Sequence, residues 1–341
     1  WIPGDPIELL VGERGISAER HAMLKAQFGY DQPLWKQYFT YLGDLAQGDL
    51  GRSITTRQPV LQEFLTLSEV LGHADLLIGA DGFRSAVRAQ FLPGKQPQYA
   101  GYVAWRGLVD ERVVAPVLGR ELFEQLSFCL PPGEQFLGYP VAGPDNDLRV
   151  EHRSWNIVWY RPADAGPEVE RLLTDDTGKL HGLSIPPPLV SRGVVAEMRD
   201  AAERLLPVQF RGAMRLIEQP FLQPIYDLEI PQMAFGRVVL VGDAAFIIRP
   251  HVGGGVVKAA QDAAALTAAL DRHARSIETA LRAYEAERLG MGRRYVAQSR
   301  RLGSYLKHRF NSDEERARAA FHARPEQVLA ETATLDFLRE P

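Results

Sequence analysis

The chain has 341 residues, a formal net charge of −4 at pH 7 and 45% hydrophobic residues, the proportions of a soluble globular protein of about two domains. A sequence pI near 6.1 removes any electrostatic reason to expect nucleic acid or an anionic membrane surface as a partner. No stretch reaches the ~18 apolar residues of a membrane-spanning helix and no signal-peptide pattern is read at the start; the lone Cys129 excludes an intrachain disulfide and fits a reducing compartment or simple cysteine economy, with a cytoplasmic setting expected.

Trp1 is no translational start, so the expectation is a chain that was cut, processed or truncated. Residues 1–66 read as a small helical segment rich in aromatics. Ser17 is placed to N-cap a helix that Gly29 ends, and Pro33 opens a second with Trp35, Tyr38, Phe39 and Leu42 on one face. The character changes near residues 65–73. ADLLIGADGFRSAVRAQF, Ala74 to Phe91, predicts an apolar strand of about six residues, a turn at Asp81-Gly82 and a basic helix. Such a helix start can offer N–H groups to an anion, and Arg84 and Arg88, four apart, would share its face.

Residues 100–235 form a separate layer. Alternation in Tyr102–Val109, Glu134–Val141 and Trp155–Arg161 predicts antiparallel strands with one packed face. Helices follow within Gly193–Leu206 and Pro207–Glu218, then the short strand QPIYDLEI. Trp105, Phe136, Trp155, Trp159 and Tyr160 would give an aromatic sheet face able to wall a flat ligand, although core packing explains each singly. His152 and His181 lack partners at metal-ligand spacing, so no metal site is expected.

In GRVVLVGDAAFIIRPHVGGG, Gly236 to Gly255, a buried strand ends at Gly242-Asp243, and Pro250 to Gly255 bring bare backbone up to the start of the helix GVVKAAQDAAALTAAL. A carboxylate at a strand end can accept hydrogen bonds from ligand hydroxyls, and glycines at a helix start can present N–H groups to a carbonyl oxygen or a developing anion. Residues 277–310 carry spaced apolar side chains among many arginines and predict a long amphipathic helix, its basic face solvated, with a homodimer contact there left open; a charged helix follows around Asp313 to Ala323.

Two resemblances rest on these motifs. PGDP at Pro3–Pro6, GYDQPLWKQY at Gly29–Tyr38 and QGDLGRSI at Gln47–Ile54 look like the extracytoplasmic segment after the first membrane helix of dipeptide ABC-transporter permeases. No membrane helix flanks them here, so transport by this chain is not expected. Over about residues 70–310, Asp81-Gly82, Gly242-Asp243 and the spacing of Pro250, Gly253, Gly255, Asp262 and Ala263 resemble the group A FAD-dependent aromatic hydroxylases, most of all the 2,6-dihydroxypyridine type. The commoner pattern of that family has His after GDAA, where this chain has Phe246.

The second resemblance implies an α/β (α+β) chain: a Rossmann-like FAD-binding domain from residues 67–99 and 236–275, an inserted antiparallel substrate domain at 100–235 and a helical region at 276–341, with the permease-like segment at 1–66. It implies that Asp243 binds the ribityl chain of FAD and that Pro250 to Gly255 line the isoalloxazine ring. The helix start at Gly254-Gly255 would stabilise charge on the N1–C2 carbonyl edge. Asp81, Gly82 and Arg84 would lie near the pyrophosphate and the path of NADH or NADPH. The implied reaction is hydroxylation of a small aromatic ring with O2, with no protein general base assigned and His251 read as structural. The family's N-terminal G-x-G-x-x-G unit, which holds the ADP half of FAD, finds no counterpart at GDLAQGDLG, Gly43–Gly51. The FAD-binding domain is therefore expected to be incomplete, a permease fragment joined to the last two-thirds of a hydroxylase, with weak FAD retention and impaired activity. A catalytically inert remnant or an interaction protein is the alternative.

Overall fold

The fold is seen in a computed structural model that describes residues 23, 74–332, 334 and 336–338. The helices expected within residues 1–66 and the GDLAQGDLG stretch lie outside the described residues. Two units divide the chain, residues 1–74 with 186–189 and residues 75–185 with 190–341. All elements below belong to the second.

In chain order these are β1 (Leu77–Gly79), α1 (Ala86–Phe91), β2 (Gln98–Asp110), α2 (Glu111–Leu118), α3 (Arg120–Phe123), β3 (Ser127–Cys129), β4 (Gln135–Val141), β5 (Ser154–Pro162) and α4 (Pro167–Leu172). Then come α5 (Arg192–Leu205), α6 (Val208–Arg215), β6 (Phe221–Asp227), β7 (Ala234–Phe235), β8 (Val238–Leu240), α7 (Gly255–Arg272), α8 (Ile277–Leu302), α9 (Asp313–His322) and α10 (Pro325–Glu331).

Five strands in the order β3-β4-β5-β2-β6 make an antiparallel sheet. The alternation read from residues 102–161 fixes its two faces, because successive side chains point to opposite sides. One face carries Val103, Trp105, Phe136, Trp155, Ile157 and Trp159 and is sealed by α5 and α6. Phe210 of α6 lies 4.8 Å from the Phe136 ring and 6.1 Å from Trp155, centroid to centroid. The other face carries Tyr102, Ala104, Leu137, Val158, Tyr160 and Ile225, packed against Tyr305, Leu306, Ala319 and Val328 of the C-terminal helical region. The expected aromatic wall is thereby corrected. Four of its five members are core side chains facing helices, and Tyr160 alone points to the opposite side.

The smaller sheet, β1-β8-β7, pairs β1 parallel with β8 at Leu77↔Val238 through Gly79↔Leu240. This brings the two ends of the chain's flavin-like motifs side by side. The first strand is three residues, shorter than expected. Val239, Leu240, Ala244, Phe246, Leu266, Leu281 and Tyr284 form one core between this sheet and α7 and α8. The two sheets are tied where Leu228, just past β6, exchanges backbone hydrogen bonds of 3.0 and 3.2 Å with Ile247. Among the described residues no helix is long and apolar enough to cross a membrane.

Helix α8 passes so close to Phe246 that a Cβ on Gly292 would fall 2.4 Å from its ring. Gly292→Ala is therefore expected to cost about 1–3 kcal/mol by overpacking, read as a lowered urea midpoint with unchanged slope.

Candidate functional site

The turn after β8 is held from three sides. Gly242 adopts φ 60°, a left-handed conformation that glycine tolerates, at the start of the 3-10 turn Gly242–Ala244. Its N–H donates to Asp262 Oδ2 at 3.0 Å and its carbonyl accepts from Lys258 Nζ at 2.8 Å. Arg288 Nε donates to Asp262 Oδ1 at 2.8 Å, so one carboxylate meets a backbone amide, a lysine and an arginine. From the other side Arg88 of α1 donates to the carbonyls of Asp243 at 3.3 Å, Ala244 at 3.0 Å and Phe83 at 2.7 Å. Lys258, Asp262, Arg288 and Arg88 are all buried. Burial lowers the pKa of Lys258, opposed by the Asp262 and Asp243 charges, and lowers that of Arg88, opposed by Asp81.

Asp243 turns away from this clamp. The residue is exposed, and no described group hydrogen-bonds its carboxylate. Desolvation by the surrounding protein still raises its pKa, with the Lys258 ammonium opposing.

The glycine-rich loop follows. Pro250–Val252 is a 3-10 turn, Gly253 has φ 65°, and Gly254 precedes the 18-residue helix α7 without any side-chain cap. A Cβ on Gly255 would meet nothing within 4 Å, and Val256 beside it is 85% exposed. Space thus opens beside the first turn of a long helix, the end at which free N–H groups and the positive end of its dipole gather. Beneath the loop, His251 is buried and its Nε2 shares a 2.9 Å hydrogen bond with the Tyr102 hydroxyl. Arg249 donates to Asp227 Oδ2 at 2.8 Å, and Arg300 of α8 reaches Asp227 Oδ1 at 2.7 Å.

The structure therefore joins Gly242 and Asp243 to the loop Pro250, Gly253, Gly254 and Gly255, because Lys258 lies in the first turn of α7. The motif Asp81-Gly82 behaves differently. Asp81 Oδ2 accepts from the N–H groups of Ala86 at 2.7 Å and Val87 at 3.1 Å, while Oδ1 accepts from Ser85 Oγ. The start of α1 is thus already occupied by a carboxylate and is not open to an anion, a correction of the sequence expectation. Arg84 precedes α1, donates to Ser184 Oγ at 2.8 Å and shares no helix face with Arg88. The sequence reading gave Arg88 a different role, and the clamp residues Lys258 and Arg288 escaped it. The available signal was Lys258 and Asp262 four apart in an alanine-rich helix, where two charges in a buried run require a partner.

Residues 99–227 match a family described as FAD binding domain-like, and residues 227–299 match the FAD binding domain family. Both family models that match the chain are of FAD-binding domains. It is homologous to 2,6-dihydroxypyridine 3-monooxygenase of Paenarthrobacter nicotinovorans, 30% identical over 239 residues, which cover 69% of this chain and 58% of that protein. It therefore spans less than two-thirds of that relative. The solved 2,6-dihydroxypyridine-3-hydroxylase from Arthrobacter nicotinovorans superposes with TM-score 0.63 at 28% identity, over 70% of this chain and 60% of that one. R204Q HpxO of Klebsiella pneumoniae, solved in complex with FAD, gives TM-score 0.55 at 26% identity, over 78% and 60%. A short segment matches the dipeptide transport permease DppB of Escherichia coli, 53% identical over 64 residues, 19% of each chain.

Two outcomes follow from the buried charges. Asp262→Ala leaves Lys258 and Arg288 without their carboxylate and is expected to destabilise the fold by about 3–5 kcal/mol, measured by urea unfolding. Burial, with Arg249 and Arg106 adding to it, pushes the His251 pKa down to about 3. The unfolded chain then takes up this proton first as pH falls, so the contribution is complete above pH ~6.5 and is lost toward pH ~3. His251→Gln should flatten the stability profile between about pH 6.5 and 4, above the range of ordinary carboxylates.

Proposed function

We propose that this chain is an FAD-dependent monooxygenase that hydroxylates an aromatic or N-heteroaromatic ring with NAD(P)H and O2 in the cytoplasm. The observation that carries it is the pairing of an unpartnered strand-end carboxylate, Asp243, with an uncapped glycine start of an 18-residue helix, held together by the Gly242 clamp. These groups fit FAD. A carboxylate without a hydrogen-bond partner among the described residues suits the hydroxyls of a ribityl chain. Space beside Gly255 with nothing within 4 Å of a Cβ suits a flat ring edge.

Each protein group then has a defined task. Asp243 accepts hydrogen bonds from the sugar-alcohol chain and fixes its direction. The N–H groups at Gly254 and Gly255, with the α7 dipole, stabilise negative charge at a carbonyl edge without reorganising. Arg88 and Lys258 hold the backbone that aims Asp243. Bound FAD supplies the redox chemistry, accepting hydride from NAD(P)H and delivering oxygen to the ring. The side chains bind, orient and exclude water, and none is assigned as a general base.

The permease-like motifs within residues 1–66 favour a second reading, in which the FAD-binding domains lack their ADP-holding unit and the chain is a non-catalytic remnant. Weak FAD retention is what the two readings share, and substrate-dependent NAD(P)H oxidation separates them. Titration of the purified chain with FAD, followed by flavin fluorescence, tests the site itself. Asp243→Ala is expected to weaken binding about 10- to 100-fold, the worth of a charged hydrogen bond. Equal affinities for the variant and the parent chain refute the site.

A further inference from the structure

A cavity of about 340 Å³ opens on the tryptophan side of the five-stranded sheet, between β2, the end of β5 and helices α4 and α5. Its floor is apolar. Val103 and Trp105 of β2, Leu172 of α4 and Val194 and Met198 of α5 line it, and all but Leu172 are buried. Alternation along β2 puts Tyr102, the partner of His251 beneath the glycine-rich loop, on the opposite face. The sheet therefore stands between this cavity and that loop. Trp105 is only 3% exposed, yet its indole N–H has no hydrogen-bond partner among the described residues. A buried donor left unpaired costs stability unless a ligand completes it.

The rim carries both signs of charge in balance, Arg161, Arg171 and Arg204 against Glu168, Glu197 and Asp200. Most of these groups are engaged. Arg171 pairs with Glu197 at 2.9 Å, Arg161 donates to Glu134 Oε1 at 3.0 Å and stacks over Trp159, and Glu168 accepts from the Asp164 N–H at 2.6 Å. Asp200 and Arg204 are the exceptions, since among the described residues neither has a hydrogen bond or an ion pair. An acid four residues before an arginine on an exposed helix is spaced to pair with it. These two do not pair. Both border the cavity instead, beside the buried row Val194, Met198 and Ala201 of the same helix.

We propose that this cavity is a second binding site, apart from the flavin cleft, for a compact zwitterion with an apolar body, the class of the apolar α-amino acids. Its volume lies at the lower end of small-molecule sites and leaves no room for a dinucleotide. Asp200 accepts from the ammonium group, Arg204 donates to the carboxylate, and the Trp105 N–H is a further donor at the floor. The two charges of an α-amino acid sit on one carbon, which suits two side chains one helical turn apart. The apolar body covers Val103, Val194 and Met198. A ligand with a single charge leaves one of the two rim groups without its counterpart.

The test is isothermal titration calorimetry of the purified full chain with probes that share a phenyl body: L-phenylalanine, phenethylamine, which keeps only the ammonium, and hydrocinnamate, which keeps only the carboxylate. L-Phenylalanine is expected to bind about three- to tenfold tighter than either of the others. D200N is expected to lower its affinity to that of hydrocinnamate, and R204Q to that of phenethylamine. Both residues are exposed, so the fold carries either change, and FAD titration of both variants is expected to match the parent chain. Asp243→Ala is expected to leave L-phenylalanine binding unaltered. Absence of binding, equal affinities for all probes, or a preference for the zwitterion that survives both D200N and R204Q overturns the site. Loss of L-phenylalanine binding in Asp243→Ala also overturns it, because the ligand then occupies the flavin cleft.

Discussion

One peptide unit, at Gly242, is gripped at both ends. Its N–H is taken by Asp262 and its carbonyl by Lys258, four residues apart on the same helix, and Arg288 of the next helix completes the charge balance. A strand that stops inside a core leaves backbone groups that must find partners. Here the partners are ionised side chains whose own burial would be prohibitive without one another. The arrangement makes the direction of Asp243 a property of helices α7 and α8 and not of the loop it sits in. Arg88 adds the third support from α1, so every element around the small sheet contributes a charge to the same turn.

A second junction works in the same way farther along. Asp227 closes β6 and receives Arg249 from the head of the glycine-rich loop and Arg300 from α8. The large sheet, the loop and the long helix are pinned at a single buried carboxylate. His251 lies between the two junctions, bonded to Tyr102 and packed 4.4 Å from the Tyr160 ring, centroid to centroid. The loop is fixed from below, and its glycines are left free above.

Much of this was legible in the residues. Alternation alone located β2, β4 and β5 to within a few positions, and Gly-Asp after a short apolar run marked the end of β8. What stayed hidden was whatever depends on which face is covered. Period-2 patterning says that Trp105, Trp155 and Trp159 share a side but not that α6 arrives there with Phe210. Asp81 illustrates another limit, since the sequence shows a carboxylate before a helix but not whether it turns back to cap that helix or points outward. The hold of Arg88 and Arg288 on this turn carries no local signature, because Asp243 lies 155 positions from Arg88 and Asp262 lies 26 from Arg288.

Placing the indoles on the helix-packed side has a practical side. Three of the five tryptophans of the chain sit in a shell shielded from the tyrosine-lined face by the thickness of the sheet. Their emission therefore reports on whether α5 and α6 remain seated against them. A spectroscopist gains from one domain an intrinsic ultraviolet reading of the scaffold's integrity.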